Sequence, residues 1–113
     1  MQPHSTFTYL TQEEFDNASL SELIAYRMKN LRIMNSLTQE QLAFESGLDR
    51  SYVGQIERCE KNVTVVTLDK IANSLGIDLL EFLHFDSLID PIKKKEVEEQ
   101  IQEKREKRGT SKN

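Results

Sequence analysis

An all-α fold is predicted by three observations. Apolar residues recur at three- and four-residue steps instead of alternating; Leu20, Ile24, Met28, Leu31 and Met34 form one such stripe. Residues able to cap helices stand just before the periodic stretches, at Ser19, Thr38, Asp49, Thr67 and Asp78. Gly47 and Gly76 stand just after two of them, where a left-handed backbone costs glycine little. These signals predict a compact five-helix domain over residues 19–85, preceded by an N-terminal arm (1–18) and followed by an extra charged C-terminal helix and tail (86–113).

A chain of 113 residues fits one domain. Its 37% hydrophobic content supports a modest core, and 30% charged residues imply long solvated stretches. The single cysteine allows no intrachain disulfide, so a reducing compartment is expected. No apolar run approaches the roughly 20 residues of a membrane span, and the start lacks a basic-then-apolar leader. The expected location is therefore the cytoplasm. One Cys, two distant His and no glycine-rich phosphate loop predict no metal, no cofactor and no enzyme. The net charge of −4 disfavours a nonspecific nucleic-acid binder. It leaves room for a specific one whose few Arg and Lys gather at the contact.

Each element has its own reason. In the arm, Thr11 and Glu14 can cap a short turn. Phe7, Tyr9, Leu10 and Phe15 are many apolar groups for a solvated tail, so packing on the domain or a partner stands beside disorder. His4 has no ligand partner nearby and reads as surface. Ser19 to Ser36 reads as a helix, with Ser19 and Glu22 forming a capping box and the Leu20–Met34 stripe facing the core. From Leu37 to Lys61 two short helices follow. Thr38-x-x-Gln41 is a second capping box, Leu42 and Ala43 face inward, and Gly47 makes the turn. Asp49 caps the next helix, which turns Val53 and Ile56 inward and Arg50, Ser51, Gly54, Gln55 and Arg58 outward. A buried helix pair with a polar, donor-rich outer face fits the DNA major groove.

The residues Thr38, Gln39, Leu42, Ala43, Gly47, Ser51, Tyr52, Val53, Ile56, Glu57 and Arg58 fill the places of a recurring pattern: T-Q-x-x-L-A, a glycine turn, S-Y-V and I-E-R. Over about residues 21–84 the chain resembles the Cro/repressor-type (XRE-like) helix-turn-helix regulators. The LDRSY segment followed by IER and a nearby Asn looks most like the controller proteins of restriction–modification systems. The resemblance implies a repressor-like DNA-binding domain that regulates transcription as a homodimer on a roughly palindromic double-stranded operator. It also implies a partly buried Arg32–Glu57 ion pair and a phosphate-binding role for Gln39. On this reading Arg50 is the first choice for a base contact, with Ser51, Tyr52 and Gln55 beside it. Thr38, Gln39, Lys61, Asn62 and Thr67 are the expected phosphate contacts. Two departures stand out: Cys59 occupies a place usually held by glycine, and no proline follows Asn62. A plain substitution and a thiol able to join two subunits both remain open at Cys59.

Cys59 to Val66 reads as a loop. Thr67 then caps a helix with Leu68, Ile71, Ala72 and Leu75 inward, Gly76 ends it, and Asp78 caps the last helix of the domain. The run LDKIANSLGIDLLEFL is similar to the family's closing segment. Ile77, Leu80, Phe82, Leu83 and Phe85, with Leu88 and Ile89, exceed what five short helices can hide, so a dimer interface is expected there. Packing beneath the C-terminal segment is the alternative. Pro91 can open a final helix. Residues 92–108 carry pairs such as Lys95–Glu99 and Glu103–Lys107 but only Ile92, Val97 and Ile101 as apolar groups, which predicts an exposed helix. Lys93 to Lys95 reads as a solvated face, and Gly109 to Asn113 as a disordered end. The competing function is a protein-interaction module, or an antitoxin-like regulator gripping a protein partner through the C-terminal segment.

Overall fold

The computed structural model of the chain describes residues 7–90 and residues 102, 103 and 106. Six α-helices appear among them: α1 Gln12–Asn17, α2 Leu20–Met34, α3 Gln39–Glu45, α4 Tyr52–Glu57, α5 Val65–Ser74 and α6 Leu79–Phe82. A 3-10 turn, Phe85–Leu88, follows. The architecture is all-α, and no helix among the described residues is long and apolar enough to cross a membrane. Residues 102, 103 and 106 are helical and exposed. The rest of the expected 92–108 helix, with Pro91, Ile92, Val97, Ile101 and Lys93 to Lys95, lies outside the described residues.

Local chemistry sets most of the helix starts. Thr11, Ser19 and Thr38 each accept the third helical N–H, and Glu14, Glu22 and Gln41 return a side-chain oxygen to the cap's own amide. The bond from Ser19 and its amide holds the Glu22 carboxyl below the usual carboxylate range. Asp78 accepts from the amide of Glu81. Two starts differ from expectation. Thr64, not Thr67, caps α5, because the Thr67 amide donates back to Thr64 Oγ1 at 3.1 Å. The helix therefore begins at Val65. Asp49 does not cap α4 either. Its carboxylate accepts from the Ser51 hydroxyl at 3.0 Å, and α4 begins at Tyr52 with no side-chain cap.

Helices α2 to α5 end alike. The chain turns left-handed at Ser36 (φ 57°), Gly47 (69°), Cys59 (61°) and Gly76 (80°). Each next amide reaches back to a carbonyl five residues earlier; Leu48 to Ala43 is 2.8 Å and Glu60 to Gln55 is 2.8 Å. Cys59 thus takes the glycine-type exit with a Cβ in place. A left-handed non-glycine residue costs about 1–2 kcal/mol, partly offset by the extra chain entropy a glycine would lose. Cys59→Gly is expected to raise the unfolding free energy by about 0.5–1 kcal/mol, read as a higher urea midpoint at unchanged slope.

The core joins Ile24, Met28 and Leu31 of α2, Leu42 and Ala43 of α3, Val53 and Ile56 of α4, and Leu68, Ile71, Ala72, Leu75 and Phe82 behind them. Leu20 and Met34, expected in the stripe, are exposed, because the ends of α2 overrun the core. Phe82 is fully buried and belongs to the core, not to a subunit contact. Arg27 fixes α6 from below: its Nε donates to the Phe82 carbonyl at 3.0 Å and its Nη2 to the Glu81 carbonyl at 2.8 Å. Burial lowers the Arg27 guanidinium from its ordinary value, and the Glu81 carboxylate opposes that shift.

The expected surplus of apolar groups is divided. Leu88 and Ile89 are buried within the chain itself. They meet the arm, where Leu10 is buried and pairs with Ile89 in a parallel bridge. The Leu10 amide donates to the Leu88 carbonyl at 2.7 Å, and the Asp90 amide donates to the Leu10 carbonyl at 2.8 Å. Nearby, the buried Asn30 side chain accepts from the Thr8 amide and donates to its carbonyl, as a neighbouring strand would. Ile77 and Phe85 are half-buried against the core, whereas Leu80 and Leu83 remain exposed.

Candidate nucleic-acid interface

The turn at Gly47 seats α4 across α3, with Val53 and Ile56 sealed in the core. What remains outward is an open depression of about 400 Å³ lined by Gln39, Glu40, Arg50, Ser51, Gly54 and Arg58. Arg50 sits in the turn before α4 with its side chain 83% exposed. Ser51 is exposed, and Tyr52 and Gln55 are half-buried, Tyr52 resting against the core. Gly54 was expected to face outward. It is buried, and a Cβ there would meet Gln39 Oε1 at 3.0 Å and Arg58 Nη1 at 3.1 Å. Glycine thus lets the Gln39 amide and the Arg58 guanidinium close over the middle of α4.

One buried carboxylate organises this floor. Glu57 Oε2 accepts from Arg32 Nε at 2.8 Å, and Oε1 accepts from Arg32 Nη2 at 3.0 Å. The two side chains are only 11% and 8% exposed. The third Arg32 nitrogen, Nη1, donates to the Leu37 carbonyl at 2.9 Å, so the guanidinium also holds the entry to α3. Glu57 Oε1 takes one further bond, from Gln39 Nε2 at 3.0 Å. That bond orients Gln39, the first residue of α3, toward α4. The cluster ties α2, α3 and α4 by charge-assisted bonds that engage both oxygens of the carboxylate.

Three features of this face carried no signal in the sequence beyond residue type. Glu40 Oε2 accepts from Arg50 Nη2 at 3.1 Å across the turn. Glu60 accepts from Arg58 Nε and Nη2 at 2.9 and 3.2 Å. These bonds hold the Glu60 carboxyl below its ordinary range and raise the Arg58 guanidinium. Gln39 is bonded to Glu57 across 18 positions of sequence. Thr38, Lys61 and Asn62 are exposed at the two ends of the helix pair. Thr67 is half-buried, and its hydroxyl accepts from that of Thr64. No group of three or more metal-ligating side chains occurs among the described residues.

A short helix turned outward on a second helix by a left-handed glycine, with arginine at its exposed entry, defines a helix-turn-helix DNA-binding regulator of transcription. Residues 28–82 match the Helix-turn-helix family, and the chain belongs to it. The control protein C.SmaI of Serratia marcescens is 42% identical over 64 residues, covering 57% of this chain and 76% of that protein. The crystal structure of the restriction–modification controller protein C.AhdI from Aeromonas hydrophila superposes with a TM-score of 0.54 at 44% identity, over 56% of this chain and 96% of the other. The controller protein C.Esp1396I, solved as a tetramer in complex with its natural 35 base-pair operator, superposes with a TM-score of 0.56 at 33% identity, over 64% and 92% of the two chains.

Proposed function

We propose that the protein binds a roughly palindromic operator as a homodimer, placing α4 and the turn before it in the major groove of each half-site. The observation that carries this reading is the contrast across α4: Val53 and Ile56 are sealed, while Arg50 stands in solvent at the mouth of the depression. Arg50 pairs with guanine through two donors, and Ser51, Tyr52 and Gln55 read or position alongside it. Gln39, fixed by Glu57, takes a phosphate at the start of α3 together with Thr38; Lys61, Asn62 and Thr67 hold the backbone on the other side. Phosphate contacts set register, and base contacts set sequence. The dimer contact is centred on exposed Leu80 and Leu83, with the open edges of Ile77 and Phe85. Two α4 helices would then face successive major grooves about 34 Å apart. No catalytic step is assigned. An exposed free thiol at Cys59 fits a reducing cytoplasm.

Arg50→Ala is expected to weaken binding to the selected operator by about tenfold to a hundredfold, since a bidentate guanine contact discriminates by roughly 1–3 kcal/mol. Binding to mixed-sequence duplex should stay nearly intact. A mobility-shift titration of both duplexes measures this, and equal loss on the two would overturn the assignment. Sedimentation that finds monomers alone, free and on DNA, would overturn the dimer.

A further inference from the structure

We infer that Glu40 is a specificity-determining positioning residue: it buttresses Arg50 for base reading without itself contacting the base. The inference rests on the reading of Arg50 given above. A guanidinium carries five N–H donors in a rigid planar fork. Glu40 occupies only one nitrogen, Nη2, at 3.1 Å. Nη2 carries a second N–H, and Nε and Nη1 have no bonding partner among the described residues, so one edge of the fork, Nη2 with either Nε or Nη1, stays available for the two acceptors of guanine. Arg50 is otherwise untethered, with its side chain 83% exposed, and a free arginine loses much rotamer freedom when it is fixed on a base. Glu40 is the second residue of α3, the helix whose first residue is bonded to Glu57, so the carboxylate springs from the rigid floor of the site.

The arrangement at Arg58 differs. Glu60 takes both Nε and Nη2 of that guanidinium, which uses up one full edge of the fork. Arg58 keeps its other edge, Nη1 with the second N–H of Nη2, and Nη1 lies over Gly54, whereas on Arg50 only Nη2 is engaged.

A carboxylate beside DNA also repels phosphate. Its two effects therefore have opposite signs on the two kinds of DNA, and this makes the inference testable. The probes are the duplex that the wild-type chain selects from a random pool and a mixed-sequence duplex of equal length. Glu40→Ala is expected to weaken binding to the selected duplex about fivefold, the upper range for an exposed ion pair. It should tighten binding to mixed-sequence duplex and relax the base preference opposite Arg50. Glu40→Gln keeps an acceptor oxygen at the same reach and is expected to recover most of the selected-duplex affinity. Glu45→Ala, which removes the same charge from the same helix, should tighten both duplexes alike. In an Arg50→Ala background, Glu40→Ala should no longer weaken the selected duplex. If Glu40→Ala behaves as Glu45→Ala does, or weakens the selected duplex equally without Arg50, the buttress is overturned while the reading of Arg50 stands. If Arg50→Ala leaves the base preference intact, both fall.

Discussion

Arg32→Ala is expected to lower the unfolding free energy by about 3–5 kcal/mol, because it strands a buried carboxylate. Glu57 accepts three bonds, two of them from Arg32, and its side chain is 8% exposed. Without the guanidinium it keeps one amide donor from Gln39 and no bonded cation, only the more distant charge of Arg58. The Leu37 carbonyl loses its donor in the same change. Against a typical total of about 5–15 kcal/mol, the variant should sit near the edge of folding at 25 °C. Urea unfolding followed by helical circular dichroism measures this, and a loss below about 1 kcal/mol, the range of exposed pairs, would show that water reaches the cluster freely. The paired replacement Arg32→Met with Glu57→Leu separates stability from positioning. A well-packed apolar pair often restores what a broken buried pair loses. Gln39 would still lack the acceptor that orients it, so DNA affinity should stay reduced in a variant that folds well.

That cluster marks how far the sequence could be read. Arg32 and Glu57 were placed together only by resemblance; nothing local to either residue points to the other. The bond from Gln39 to Glu57 had no sign at all, since it depends on how α3 crosses α4. Where the signal is local, the reading was close. The boxes at Ser19 and Thr38 and the turns at Gly47 and Gly76 depend on residues a few places apart, and they stand where expected. The two misplaced starts have one cause, two capping residues competing within three positions. Thr64 outcompetes Thr67 because Val65 and Val66 can lie exposed on the first turn of α5. At α4, Asp49 spends its carboxylate on Ser51, and neither residue caps. The apolar surplus was visible, but its destination was not. Leu88 and Ile89 are buried where the 3-10 turn packs on α2 and Leu10, far away in sequence, joins them through backbone pairing that any side chain permits.

Phe82→Ala is expected to lower the unfolding free energy by about 3–5 kcal/mol, the usual loss for a buried phenylalanine. The side chain is fully buried, and its own carbonyl accepts from Arg27, so a collapse of α6 would also break the bonds by which the buried guanidinium holds the Phe82 and Glu81 carbonyls. The neighbouring Leu80 gives the contrast. It is 81% exposed, and Leu80→Glu should leave the unfolding free energy of the monomer within about 0.5 kcal/mol, as for most surface changes. The same substitution should abolish the proposed dimer, because a contact centred on Leu80 would set the charge opposite its own copy across a two-fold axis. Urea midpoints and sedimentation on the two variants divide the roles along α6. A Phe82→Ala protein that keeps its midpoint but sediments as a monomer would move Phe82 from the core to the interface. With it would go the account of α6 as a short helix clamped from beneath by Arg27 and presenting Leu80 outward.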